Sequence, residues 1–177
     1  MFARPLTWVL IPVLLAAAGF GLYWFQPWRL ATNTTVADEV PVVPAPAPTA
    51  SASASAPPVG NRLVATGTFV THEHDTSGRV QLIERPGGTH QLVLLGLRTS
   101  DGPDLRVWLT DQAVRPGRAG WHVFDDGRYL EVAALRGNRG NQVYDLPATT
   151  DVEGLRSVTI WCKRFSVSFG AAELTLA

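Results

Sequence analysis

The one cysteine of the chain, Cys162, lies in the run Ser157-Val158-Thr159-Ile160-Trp161-Cys162-Lys163-Arg164-Phe165-Ser166-Val167-Ser168-Phe169-Gly170. A thiol serves as nucleophile, metal ligand or redox group only as thiolate, and a neighbouring Lys or Arg favours that form. Lys163 and Arg164 follow it directly, so the run reads as a candidate redox thiol with two thiol-activating cations. Burial among apolar side chains acts in the opposite sense, and a free cysteine packed in a core is an inert small hydrophobe. Both readings are open at this stage. A single cysteine excludes an intrachain disulfide and an all-cysteine metal site, while an intermolecular disulfide is a third use for the odd thiol.

His72-Glu73-His74-Asp75 is the second constellation. On a strand, His72 and His74 would point to the same side, as two ligands of a divalent metal do. Two imidazoles are not a site, and His90, His122 or Cys162 would have to converge on them. Just before Ser77-Gly78 these residues equally suit the polar end of a hairpin, and no metal is assigned. There is no Cys-x-x-Cys-His, which excludes covalent c-type haem and leaves a noncovalent haem with a Cys or His axial ligand as the one cofactor to consider. Asp101-Gly102-Pro103-Asp104 and Asp125-Asp126-Gly127 hold carboxylates that calcium would use, but turns need the same residues for backbone geometry, and they are read as turns. No nucleophile–base–orienter set, phosphate loop or paired carboxylates appear, so the thiol is the only candidate for catalysis. The charge balance, 15 basic against 15 acidic residues, gives no electrostatic case for nucleic acid.

The elements that must carry these residues differ sharply along the chain. Residues 6–25, LTWVLIPVLLAAAGFGLYWF, hold no charge. Twenty residues of helix span about 30 Å, the thickness of a bilayer's hydrocarbon core. Trp8 lies near one end and Tyr23, Trp24 and Trp28 near the other, where aromatic rings favour the interface. A cleaved signal peptide is the competing reading, but the run exceeds the usual length of such a segment, about 7–15 residues. Cleavage after Ala18 would also leave an exposed apolar terminus. The expectation is therefore a single-pass membrane anchor at 6–25. Arg4 and the amino group place residues 1–5 in the cytoplasm and the rest outside it. Residues 26–60, with PVVPAPAPTASASASAPP at their centre, cannot offset their ordering entropy and are expected to form a disordered tether with polyproline II character around Pro41 to Pro48.

Residues 61–177 alternate short apolar runs with turn residues. Strands are expected at 63–70, 79–84, 89–97, 105–110, 129–135, 142–146, 157–162, 165–169 and 173–176, with a hairpin turn at Pro86-Gly87-Gly88. Leu105, Val107 and Leu109 alternate with Arg106, Trp108 and Thr110, the pattern of an antiparallel strand with one buried face. Val158, Ile160 and Cys162 have one parity and Phe165, Val167 and Phe169 the other, which requires a bulge or turn near Lys163-Arg164. The fold class is all-β, an antiparallel sandwich or barrel-like domain.

Gly67-Thr68-Phe69, His74, Gly78, Gly102-Pro103-Asp104-Leu105-Arg106-Val107-Trp108-Leu109, Gly140-Asn141-Gln142-Val143-Tyr144-Asp145-Leu146-Pro147 and Val158-Thr159-Ile160-Trp161-Cys162-Lys163-Arg164-Phe165 follow one another in order and spacing. Together they resemble the electron-transfer DM-thirteen (DM13) domain family. The resemblance implies an extracytoplasmic β domain whose lone cysteine is redox-active, as a bare thiol or as ligand to a group such as haem. That role maps onto Cys162, with His74 a weaker companion. An electron partner would be another protein, since none is encoded in this chain. The rival expectation is a non-catalytic surface module, binding or adhesive, in which Cys162 only packs.

Overall fold

The computed structural model describes residues 4–44 and 60–177, with side chains from residue 8 onward. Most of the cytoplasmic segment expected at 1–5, and the Ala/Ser-rich centre of the tether, lie outside the described residues. Helix α1 (Arg4–Phe25) carries Pro12 within it. Its stretch Trp8–Phe25 has a mean hydropathy of 1.9 and no buried residue, which makes it long and apolar enough to cross a membrane. The helix stops at Gln26, held in the left-handed region at φ 45°, and a short 3-10 turn follows at Pro27–Ala31.

The chain then does what the tether expectation did not foresee. Thr35–Ala37 forms β1, a parallel edge strand on β7 (Arg139–Asp145). Arg29 meets Asp101 at 3.4 Å, Thr32 donates to the same carboxylate at 2.9 Å, and Asp38 pairs with Arg136. Residues 26–38 are therefore a strap lying on the β domain. Backbone pairing, which needs little help from side-chain hydrophobicity, holds it there.

The domain is built from β2 (Arg62–Thr71), β3 (Ser77–Glu84), β4 (His90–Arg98), β5 (Leu105–Thr110), β6 (Tyr129–Ala134), β7, β8 (Ser157–Cys162), β9 (Val167–Glu173) and β10 (Thr175–Leu176). They form one sheet in the order β1-β7-β4-β3-β2-β9-β8-β5-β6, with β10 beside β2. Strand β2 joins the flanks: its residues from Arg62 to Thr68 pair with β3, and Phe69 to Thr71 pair with β9. Register shifts at Leu63/Ala65, Leu94/Leu97, Val107/Trp108 and Ile160/Trp161 mark bulges, which bend strands and increase twist. The sheet curls like half a barrel, so that Leu92, Leu94 and Tyr144 on one flank share a core with Val107, Leu109, Val158 and Ile160 on the other. The domain is β throughout, as its alternating pattern implies.

The single buried face expected of 105–110 does not hold: β5, like β8 beside it, buries side chains on both faces. Trp108 and Trp161, on the side away from the main core, pack with Phe124 and Ala171 into a second cluster. Phe124 comes from the excursion between β5 and β6, whose 3-10 turn Gly117–Gly120 crosses this outer face. The close approach requires glycine at 120, where a Cβ would stand 2.8 Å from the His72 Nε2. Phe165, expected in a strand, instead sits in the turn between β8 and β9 and is partly exposed.

Candidate functional site

Strands β8 and β9 form a hairpin whose turn, 163–166, closes with the Phe165 amide donating to the Cys162 carbonyl at 3.2 Å and with Ser166 at φ 49°. This is the break in parity that the sequence demands. It lets Cys162, Val167 and Phe169 all enter the main core. Cys162 pairs with Leu105 on one side and Val167 on the other and has no exposed surface. Burial pushes its thiol pKa up. Smaller influences act in both senses: the backbone N–H groups of Phe165, Arg164 and Asp104 pull it down, and the Glu73 charge pushes it further up. The net result is a neutral thiol.

The two cations expected to activate it have other partners. Lys163 Nζ donates to Glu131 Oε2 at 3.0 Å. The Arg164 guanidinium donates to the Trp24 and Tyr23 carbonyls of α1 at 2.7 and 3.3 Å, and lies 5.4 Å from the centre of the Trp24 ring. Both side chains leave an exposed turn, whereas the cysteine that precedes them points into the core. Adjacency in sequence here means opposite environments.

His72 and His74 are likewise separated. Strand β2 ends at Thr71, and the amides of both histidines donate to the one carbonyl of Phe169, at 3.1 and 3.3 Å. The bend turns His72 toward the second cluster. There it stacks on Phe124, accepts or donates at Ser168 Oγ through Nδ1 (2.7 Å), and reaches the Arg115 carbonyl through Nε2 (3.0 Å). His74 packs on Phe169 of the main core with ring centres 3.9 Å apart, and its Nε2 is 3.6 Å from Glu73. Burial lowers the pKa of both imidazoles. His122 bonds the Ser166 carbonyl and His90 pairs with Glu84 across β3 and β4. Among the described residues no three His, Cys, Asp or Glu side chains gather as metal ligands would.

A pocket of about 260 Å³ opens near the end of β2. Its walls come from three places: Arg29 and Leu30 of the strap, Glu73 and His74 of the bend, and Gly102, Phe165 and Phe169 of the domain. Sequence reading missed Arg29, Asp101 and Phe169 as partners. The Asp101-Gly102-Pro103-Asp104 turn is a turn, with Asp101 Oδ1 accepting from the Gly102 amide at 2.8 Å, but its carboxylate also anchors the strap. A haem does not fit these residues. The sulfur of Cys162 is sealed, the pocket falls below the roughly 300–1,000 Å³ usual for drug-sized ligands, and His74 is stacked against Phe169.

The Electron transfer DM13 family model matches residues 68–174, more than half of the chain. The chain belongs to this family. Searches of the curated proteins and of the solved structures return no match. The matched stretch takes in His72, His74 and Cys162 and leaves α1 and the strap outside the DM13 domain. One wall of the pocket is therefore supplied by chain that precedes the matched domain.

Proposed function

We propose that this protein is a single-pass membrane protein that displays its DM13 domain outside the cytoplasm as a non-catalytic binding module, with Cys162 a structural thiol. The sealing of Cys162 carries this reading: a side chain with no exposed surface, held protonated by burial, is poised neither to attack nor to ligate. The length and composition of α1 support the anchor. The orientation rests on Arg4 ahead of the apolar stretch, against Arg29 followed by Asp38 and Glu39 behind it. The pocket beside the strap is the surface on which binding would centre.

A second reading, electron transfer through Cys162, draws on the family's description and on the backbone around the thiol. The N–H groups of Phe165, Arg164 and Asp104 favour the thiolate, against the larger effect of burial. In that reading the thiolate attacks a disulfide of a redox partner protein, forming a mixed disulfide and releasing the partner's other sulfur as thiolate.

Alkylation separates the two. With iodoacetamide between about pH 6 and 9, the structural reading expects Cys162 to be labelled only when the domain is unfolded. Labelling of the native protein at a rate that follows a thiolate midpoint within that range would overturn it and establish the redox thiol.

A further inference from the structure

We propose that the turn 163–166 docks the DM13 domain directly onto the surface of the bilayer that α1 spans. The partner of this turn is the headgroup layer of that same membrane. The inference rests on the anchor reading above and adds where the domain sits.

The 18 residues Trp8–Phe25 make about 27 Å of helix, close to the thickness of the hydrocarbon core, so Phe25 lies at its boundary. Phe25 stacks on Phe165 with ring centres 5.6 Å apart and planes 17° from parallel. Beside it the Arg164 guanidinium takes up the Tyr23 and Trp24 carbonyls, which belong to the last turn of α1 and lack partners within the helix. A cation at a helix C-terminus is favourable on electrostatic grounds as well. Whatever depth α1 takes in the bilayer, these contacts impose it on the turn.

The surface around the contact has the composition of a membrane interface. Trp24, Trp28, Leu30 and Phe165 are all exposed, at 41%, 52%, 61% and 37%. Lys163 and Arg164 precede Phe165 in the same turn, and the Arg164 guanidinium lies over the Trp24 ring. Aromatic rings with adjacent Lys and Arg favour the headgroup level. The strap leaves no slack that would let the domain swing away: Arg29 and Thr32 hold Asp101, and β1 is zipped onto β7.

The test places an environment-sensitive fluorescent amino acid at position 163 of the full chain in liposomes, and in a second protein at Pro86 in the β3–β4 turn. Lipids spin-labelled at the headgroup serve as quenchers. Alkaline extraction of the liposomes reports separately whether α1 is integrated. Docking predicts an integrated protein in which position 163 is quenched several-fold more than position 86, and in which Arg164→Ala reduces that difference. An integrated protein with equal quenching at both positions overturns the docking and leaves the anchor standing. A protein that extracts into solution refutes the anchor and the docking with it.

Discussion

His72 is a buried imidazole between two fixed partners. The Arg115 carbonyl can only accept, so Nε2 carries the proton, and Nδ1 takes the hydroxyl hydrogen of Ser168. The ring thereby ties the outer excursion to the sheet while remaining neutral, and burial lowers its pKa below the ordinary 6.5. An unfolded chain binds the proton first as the pH falls, so this group's contribution is complete above about pH 6.5 and is lost as the pH drops below it toward the folded pKa. His74, shifted the same way, adds to the effect. Chemical denaturation at about pH 7.5 and 5.5 should show His72→Gln losing less stability on acidification than the parent protein. An equal loss would mean that the ring is not desolvated. The sequence shows the two histidines but not their divergence. Alternation applies only while a strand lasts, and the strand ends at Thr71. The same limit governs Cys162: its neighbours Lys163 and Arg164 are legible as cations, but whether they share its environment depends on a turn that reverses the chain.

At the scale of elements, the strap hangs on Asn138. Its side-chain oxygen accepts from the Thr34 amide at 2.7 Å, and its Nδ2 donates to Asn33 Oδ1 and to the Thr99 carbonyl, both at 2.9 Å. The residue is 2% exposed, so truncation removes three hydrogen bonds at once and leaves the buried Thr99 carbonyl without one of its partners. Asn138→Ala should cost about 2–3 kcal/mol and open residues 30–38 to proteolysis. Denaturant titration and limited digestion would read both, and a protected strap in the variant would show that β1 holds without it. Strands 105–110 and 157–162 were legible to the residue because β-branched and aliphatic side chains alternate between clear turn signals. β1 was not. Three residues, Thr35-Val36-Ala37, carry no periodicity, and their pairing depends on the space left by glycines opposite them: a Cβ at Gly140 of β7 would collide with the Val36 carbonyl, and one at Gly137, just before β7, would come within 2.9 Å of Val36 Cγ2. The second buried face of β5 was hidden for a similar reason, since Phe124, which covers it, is distant in sequence and lies in an irregular loop.

For the whole molecule, the matched DM13 stretch and the folded unit are not the same object. The family match begins at Thr68, yet β1, 33 positions earlier at its first residue, closes one edge of the sheet. Without the strap, β7 would present bare amides and carbonyls, a template for pairing with another chain. The Asp38 carboxylate, which accepts from the Val143 amide at 2.8 Å and pairs with Arg136, would be lost with it. A protein beginning at Asn61 should therefore remain β-rich but melt several degrees below one beginning at Gln26, because each lost kcal/mol lowers Tm by about 3–6 °C at this size. It should also self-associate through the opened edge. Thermal melts with sedimentation velocity on the two proteins would test both effects. Equal melting temperatures and two monomers would show that the strap merely rests on the domain. The expected outcome makes residues 26–38 part of the fold, so that the same segment completes the sheet, walls the pocket and fixes the domain at the mouth of the helix.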